Sequence, residues 1–156
     1  MLQKIETYKN SAVYEENNRI LHNVKNHCSF HLKLNLEVVL NESPDTPYFS
    51  DFLGNIATNI QNSHELLTQF DVNIPEDCRE FFAPALSDLL TILKEESERL
   101  QAFQTQFATG GMDDPDWLAW YNSGELTPLL QHIPVGKLAE QSRELYRRHS
   151  ELSYES

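Results

Sequence analysis

Two adjacent stretches decide the fold: PYFSDFLGNIATNIQNSHELLTQF (47–70) and PEDCREFFAPALSDLLTILKEESERLQAFQTQF (75–107). In both, large apolar side chains recur every three or four residues, which is the spacing of one face of an α-helix. Thr46 is placed to cap the first helix, and Pro47 and Pro75 suit a first helical turn. Because the connection between the two stretches is short, they are predicted to pack as an antiparallel hairpin.

The rest of the C-terminal half also has helical patterns. Pro84 lacks an N–H donor, so it is expected to kink or restart the second helix of the hairpin. Residues 115–133 are predicted to form two short helical pieces, with Asp114 as the first N-cap and Gly124 as a left-handed stop. Residues 135–152 are predicted to form the last helix. Its narrow apolar stripe consists of Val135, Leu138, Leu145 and Leu152, and His149 lies on the same face.

The N-terminal segment allows two interpretations. Apolar residues alternate with polar ones from Phe30 to Leu40, which is the pattern of a half-buried strand. No clear pairing partner for that strand is evident, however, and a lone strand leaves backbone groups unpaired. The rival is one helix from about Ser11 to Leu40, as long as the second hairpin helix. Favouring the helix, we predict a mainly α, single-domain helical bundle over 1–156. The alternative is an α+β fold with a short strand or hairpin at 13–40.

The formal net charge of −12 comes from the middle of the chain. Residues 43–134 hold three Lys or Arg against fifteen Asp or Glu, whereas residues 1–42 and 135–156 are each balanced. This surplus argues against direct nucleic-acid binding, because phosphate contacts need clustered Lys and Arg. It favours docking to a basic protein partner, since opposite charges steer association.

The sequence also indicates a broad class and compartment. The N-terminus has no apolar signal-peptide core, and no apolar run is long enough to span a membrane. We therefore expect a cytoplasmic protein without membrane contact. Cys28 and Cys78 lie fifty residues apart and match no metal or redox spacing, so they are expected to be reduced thiols. A single disulfide between them is the alternative.

Histidines in the N-terminal segment suggest a metal site. On a helix, His27 and His31 lie on one face at i and i+4 and can share an ion. A third ligand would have to come from Glu37, His64 or Glu65. No histidine has a Glu three residues before it, so the Glu-x-x-His pairs of di-iron bundles are absent. A metal- or haem-binding helical protein is thus one functional hypothesis, with two unligated histidines as the alternative.

Motifs for catalysis and cofactor binding are missing from the sequence. It contains no G-x-S-x-G, no P-loop and no dinucleotide-binding fingerprint. Adjacent acids such as Asp113 and Asp114 are interpreted as helix-start residues, because acid–base catalysis needs two carboxylates in different environments. No cofactor is expected, and enzymatic activity is not favoured, although sequence alone does not reveal a triad's geometry.

The favoured function is a non-enzymatic acidic interaction protein, such as an inhibitor, an immunity-type protein or an adaptor, that binds a basic protein partner. Trp117 and Trp120 share a helix face and are typical binding anchors, although packing in the core is the competing interpretation. A third hypothesis is self-association through exposed leucines on the last helix. The candidate contact residues are Glu95, Glu96, Glu98, Asp113, Asp114, Asp116, Trp117 and Trp120.

Overall fold

The structure is a computed structural model that describes residues 2–109 and 112–152. Helices account for its regular structure, and no strand occurs in those two ranges. The predicted mainly α bundle is therefore confirmed, and the strand at 13–40 is not needed. The helices are α1 (Leu2–Lys9), α2 (Ala12–Asn26), a π-helical turn (His27–His31), α3 (Leu32–Asn41), α4 (Phe49–Asn73), a 3-10 turn (Glu76–Cys78), α5 (Arg79–Phe82), α6 (Ala85–Gln101), α7 (Gln104–Thr109), α8 (Pro115–Asn122), α9 (Leu126–Gln131) and α10 (Val135–Glu151).

The N-terminal segment is helical because helix formation gives it one continuous buried face. Helix α2, the π-helical turn and α3 follow one another without a break. The Ser11 hydroxyl caps this helical run by accepting the N–H of Tyr14 at 3.2 Å. Leu32 and Leu36 face the core, whereas Phe30 is exposed. The alternating pattern that suggested a strand therefore divides between the inner and outer sides of a helix.

The predicted antiparallel hairpin is present, although its first helix starts later than expected. Helix α4 begins at Phe49, whose N–H bonds to the backbone carbonyl oxygen of Thr46 at 3.1 Å. The Thr46 side chain makes no cap, because Tyr48 occupies the N-cap position in the left-handed region, with φ 66°. The predictions of a Thr46 cap and of a first turn at Pro47 are therefore wrong.

The return half of the hairpin is divided into separate helices. The restart predicted at Pro84 is confirmed, since α5 ends just before it and α6 begins just after it. A second break, between α6 and α7, was not predicted. Phe82 contacts Phe70 near the end of α4, with 5.5 Å between ring centroids. Gly54, near the start of α4, lies against the backbone of Phe107 in α7. These contacts at both ends establish that the return half runs back along α4.

Helix α4 connects the two halves of the bundle through its one buried face. It packs against α2 and α3 and also against α6 and α7, while α10 packs against α2 and α6. Its inward face is fully apolar over most of its length, which stabilises the bundle by removing large side chains from water. The buried residues on that face include Leu53, Ile56, Ile60, Leu67 and Phe70.

The C-terminal helices follow the predicted boundaries. Asp114 caps α8 by accepting the N–H groups of Asp116 and Trp117, at 3.0 and 3.4 Å. Gly124 has φ 84°, as a left-handed stop requires. The expectation that leucines on the last helix are exposed for self-association is wrong, because they fill the core between α10 and its neighbours. These residues are Leu138, Leu145 and Leu152.

Two further sequence-based expectations concern cysteines and membranes. Cys28 and Cys78 are both free thiols, and both are buried. Burial raises the pKa of the Cys28 thiol to about 11, which keeps it protonated and unreactive at neutral pH. Across the described ranges, no helix combines the length and the hydropathy needed to cross a membrane.

Candidate functional site

Carboxylates gather at the end of the bundle where α4 and α8 begin. A shallow cavity there is lined by Asp45, Asp51 and Met112. Met112 directly precedes the acidic start of α8 in the chain. The ring of Phe49 packs edge-on against Tyr121, with 5.9 Å between centroids, and so fastens the start of α4 to α8. We call this surface the acidic end; its residues are Asp45, Asp51, Asp113, Asp114 and Asp116.

Tyr48 projects from the acidic end. This residue is 74% exposed and lines the same cavity as Met112, which is 45% exposed. A left-handed backbone costs a bulky residue about 1–2 kcal/mol, so local structure must impose it. The turn closed by the Thr46 carbonyl and the Phe49 N–H supplies that constraint. A strained backbone thus holds an exposed aromatic ring among carboxylates.

Positive charge is missing from the segments that build the acidic end. Residues 34–78 and 100–136 contain no Lys or Arg. Asp113, Asp114 and Asp116 are all exposed, and Asp114 interacts with backbone N–H groups rather than with a cationic side chain. The acidic end therefore presents a negative potential that its own segments do not neutralise.

A groove between α4 and the α6–α7 pair opens onto the acidic end. Ser50 and Asp51 line both this groove and the cavity beneath Tyr48, so the two are continuous. A Cβ added to Gly54 would lie 3.2 Å from the Phe107 carbonyl oxygen, so the glycine permits the close approach of α7. The walls of the groove carry uncharged hydrogen-bonding side chains, namely Asn55, Thr58, Gln61, Ser97, Gln101 and Gln104.

The predicted contact residues on α6 divide between surface and interior. Glu95 and Glu98 are exposed, but Glu96 is only 4% exposed. The Glu96 carboxylate accepts hydrogen bonds from the guanidinium of Arg99 and lies 3.0 Å from Nδ1 of His132. Arg99 also donates to a backbone carbonyl of α9, at 2.6 Å. Glu96 therefore joins α6 to α9 instead of facing a partner.

Both predicted tryptophan anchors lie inside the bundle. Trp117 is 3% exposed and Trp120 is 9% exposed. The Trp117 indole N–H donates to the Gln106 carbonyl oxygen at 3.1 Å, and its ring stacks on Tyr121 with 5.4 Å between centroids. In this conformation the two indoles fasten α8 to the core, and the exposed aromatic ring of this end is that of Tyr48.

His27 and His31 lie side by side on the π-helical turn. Their ring centroids are 5.7 Å apart. The Nδ1 of His27 lies 3.1 Å from the side-chain oxygen of Asn59 on α4, whereas His31 is exposed. Within the described part of the chain, no three His, Cys, Asp or Glu side chains are close enough together to hold a metal ion. None of the suggested third ligands, Glu37, His64 and Glu65, therefore joins the pair.

A buried polar network at the opposite end of the bundle was missed by sequence reasoning. His149 is fully buried, with Nε2 2.5 Å from the hydroxyl oxygen of Tyr8. That oxygen accepts a hydrogen bond from the Asn17 amide at 2.8 Å, and Nδ1 of His149 lies 3.2 Å from the Asn18 side-chain oxygen. The only signal in the sequence was the position of His149 on the apolar stripe of the last helix.

Burial decides the protonation state of this network. It lowers the pKa of His149 to about 4 and raises the pKa of Tyr8 above its ordinary value. A neutral His149 satisfies both of its neighbours, because Nδ1–H donates to Asn18 and Nε2 accepts from Tyr8. The network therefore joins α1, α2 and α10 and offers no exposed reactive group.

The acidic end thus combines exposed carboxylates, an exposed aromatic ring and an adjoining polar groove, whereas the other polar clusters are structural or incomplete. Comparisons with protein-family models, with curated proteins and with solved structures found no match for this chain.

Proposed function

We propose that this chain is a non-enzymatic interaction module whose acidic end binds a basic segment of a protein partner. The observation that carries the proposal is that Tyr48 is exposed beside carboxylates. The segments that supply these carboxylates contain no Lys or Arg. Tyrosine is a frequent binding anchor, and a negative rim accelerates encounter with a positive partner. Inhibition, an immunity-type role and adaptor function are the activities that such binding would serve.

The chemistry of the partner follows from the groups around Tyr48. Lys or Arg can place its cationic head over the exposed ring, which contributes roughly 0.5–1 kcal/mol at such sites. The same cation would meet Asp45 or Asp51, which line the adjoining cavity. Arg is favoured over Lys, because its planar guanidinium can stack on the ring while it bonds a carboxylate in bidentate fashion.

The groove supports an extended binding segment in preference to a single side chain. It begins at Ser50 and Asp51 and continues between α4 and α6. Its amide and hydroxyl side chains can donate to and accept from the main chain of a peptide. Because Asp51 is the one charged residue among the described residues that line the groove, we expect the basic residues of the partner to cluster at one end of its bound segment.

The first experiment measures binding to an array of basic peptides, followed by stopped-flow kinetics with the best binder. The double variant D113N/D116N should associate roughly fivefold more slowly at low salt, since two charge pairs about 8 Å apart in water contribute about 1 kcal/mol. Its association rate should also depend less steeply on salt. Asp114 is left unchanged, because its carboxylate caps α8.

The matched control is E15Q/E80Q. Both glutamates are exposed, and the substitution changes the net charge by the same amount. Glu15 lies far from the acidic end. It comes two residues after Val13, which lines a cavity with Pro75 at the opposite end of the bundle. The association rate of this control should differ from that of the wild type only by the general effect of the change in net charge. An equal loss in both double variants, or rates indifferent to salt, would overturn the proposal.

A further inference from the structure

The π-helical turn places two imidazole rings at nearly the separation that a shared metal ion requires. A metal–nitrogen bond of about 2.1 Å puts each ring centroid about 3.2 Å from the ion, so two coordinated rings are centred roughly 4.5–5.2 Å apart. The centroids of His27 and His31 are 5.7 Å apart. A small side-chain rotation closes the difference, and the exposed ring of His31 is free to make it.

The orientation of one ring is already fixed. Nδ1 of His27 lies 3.1 Å from the side-chain oxygen of Asn59, which accepts a hydrogen bond but cannot donate one. Nδ1 therefore carries the proton, and the lone pair of Nε2 is left for an incoming ion. Such a bond to the second ring nitrogen is the usual support of a metal-bound histidine, since it fixes both tautomer and ring plane.

The charge of the molecule also favours the binding of a cation. The net charge of −12 raises the local concentration of cations around the whole molecule.

We propose that His27 and His31 form a two-imidazole chelating site for a divalent transition-metal ion, with water completing the coordination shell. With two nitrogen ligands and several waters, the site suits Ni²⁺ or Cu²⁺ better than Zn²⁺, which favours closed sites of four protein ligands. Asn59 is a positioning residue that acts on the ion through His27. The site lies outside the acidic end and does not depend on the proposed partner binding.

The test titrates the purified 156-residue chain with nickel chloride at pH 7.5, using calorimetry and NMR of the histidine ring protons. The ring signals of His27 and His31 should broaden first, because Ni²⁺ is paramagnetic and these rings lie closest to it. H31Q should weaken the affinity about a hundredfold, since a chelate loses the advantage of its second ligand. Copper should bind more tightly than nickel, and zinc less tightly than copper.

Two further variants separate a chelate from diffuse surface binding. N59A should weaken nickel binding roughly tenfold through the freed His27 ring. H22Q is the matched control, because His22 is an exposed histidine on the same helical run, and it should leave the affinity unchanged. The proposal is overturned if H22Q costs as much as H31Q, if H31Q binds as wild type does, or if excess Mg²⁺ displaces the nickel. Because His31 is exposed, H31Q is expected to fold, and circular dichroism checks that it does.

Discussion

The buried His149 should make the protein lose stability in mild acid. Its pKa is about 4 in the folded chain, against an ordinary value of 6.5. Between these values the unfolded chain binds a proton that the folded chain does not bind, so the free energy of unfolding falls with pH. The contribution is fully present above pH 6.5 and is lost as the pH falls towards 4.

The size of the effect follows from the two pKa values. From pH 7.5 to pH 5 the wild-type free energy of unfolding should fall by about 2 kcal/mol through this residue alone, and by about 3 kcal/mol at pH 4. The structural reason is that a charged imidazole would be buried among the rings of Tyr14, Phe70 and Phe82. The side chains that contact the His149 ring in the described part of the chain are aromatic or neutral polar groups, so no carboxylate offsets that cost.

The assay is urea unfolding at several pH values, followed by far-UV circular dichroism. H149F removes the titrating group and keeps a ring in the pocket, so its stability should vary about 2 kcal/mol less than that of the wild type between pH 7.5 and 5. H22Q serves as the exposed-histidine control and should keep the wild-type profile. Parallel pH profiles for wild type and H149F would refute the reasoning. If H149F does not fold, an NMR pKa of 6 or more for His149 in the wild type decides the matter equally.

Three other substitutions test features of the backbone and interior. Y48N should raise the free energy of unfolding by about 0.5–1 kcal/mol, because asparagine tolerates the left-handed region better than tyrosine does, and a lower stability in urea would contradict the inferred strain. G124A should lower it by about 1 kcal/mol because φ is 84° there, and an unchanged melting temperature would be the contrary result. E96A should lower the free energy of unfolding by about 2 kcal/mol, because it removes the buried carboxylate that accepts hydrogen bonds from Arg99. The exposed-site variant E95A should change it by less than about 0.5 kcal/mol. Equal effects of the two variants would contradict the different roles given to Glu95 and Glu96.

Features with a local cause could be predicted from the sequence. The apolar stripes located the hairpin, Pro84 located the restart, and Asp114 and Gly124 located the boundaries of α8. Each of these depends on residues within a few positions of one another. The start of α4 was missed because the turn at Tyr48 adopts a conformation that its residue type disfavours.

The segment around Phe30 shows where local pattern stops being sufficient. The alternation of its apolar and polar residues fits a strand. The spacing of its apolar residues by three or four positions fits a helix equally well. The segment forms a helix because a helix buries Leu32 and Leu36 on the side of α3 that packs against α4. The buried apolar residues of α2 continue the same face. Only the packed bundle supplies that neighbour, so the sequence left two answers open.

The candidate site was predictable in its charge but not in its details. Asp113 and Asp116 are exposed, as surplus acids usually are. Glu96 lies in an acidic run that is otherwise exposed, and its buried carboxylate contacts His132, which is thirty-six residues away. Pairs so distant in sequence leave no periodic trace, which is also why the contact between Tyr8 and His149, 141 residues apart, was missed.

The position of Trp117 and Trp120 gives the molecule a built-in optical reporter. These are the two tryptophans of the chain, and their ring centroids are 6.2 Å apart beside the start of α4. Tryptophan fluorescence therefore reports on one end of the bundle, whereas far-UV circular dichroism averages over every helix. Loosening around Tyr8 and His149 would leave the emission maximum in place, and any displacement of α8 by a docked peptide would shift it.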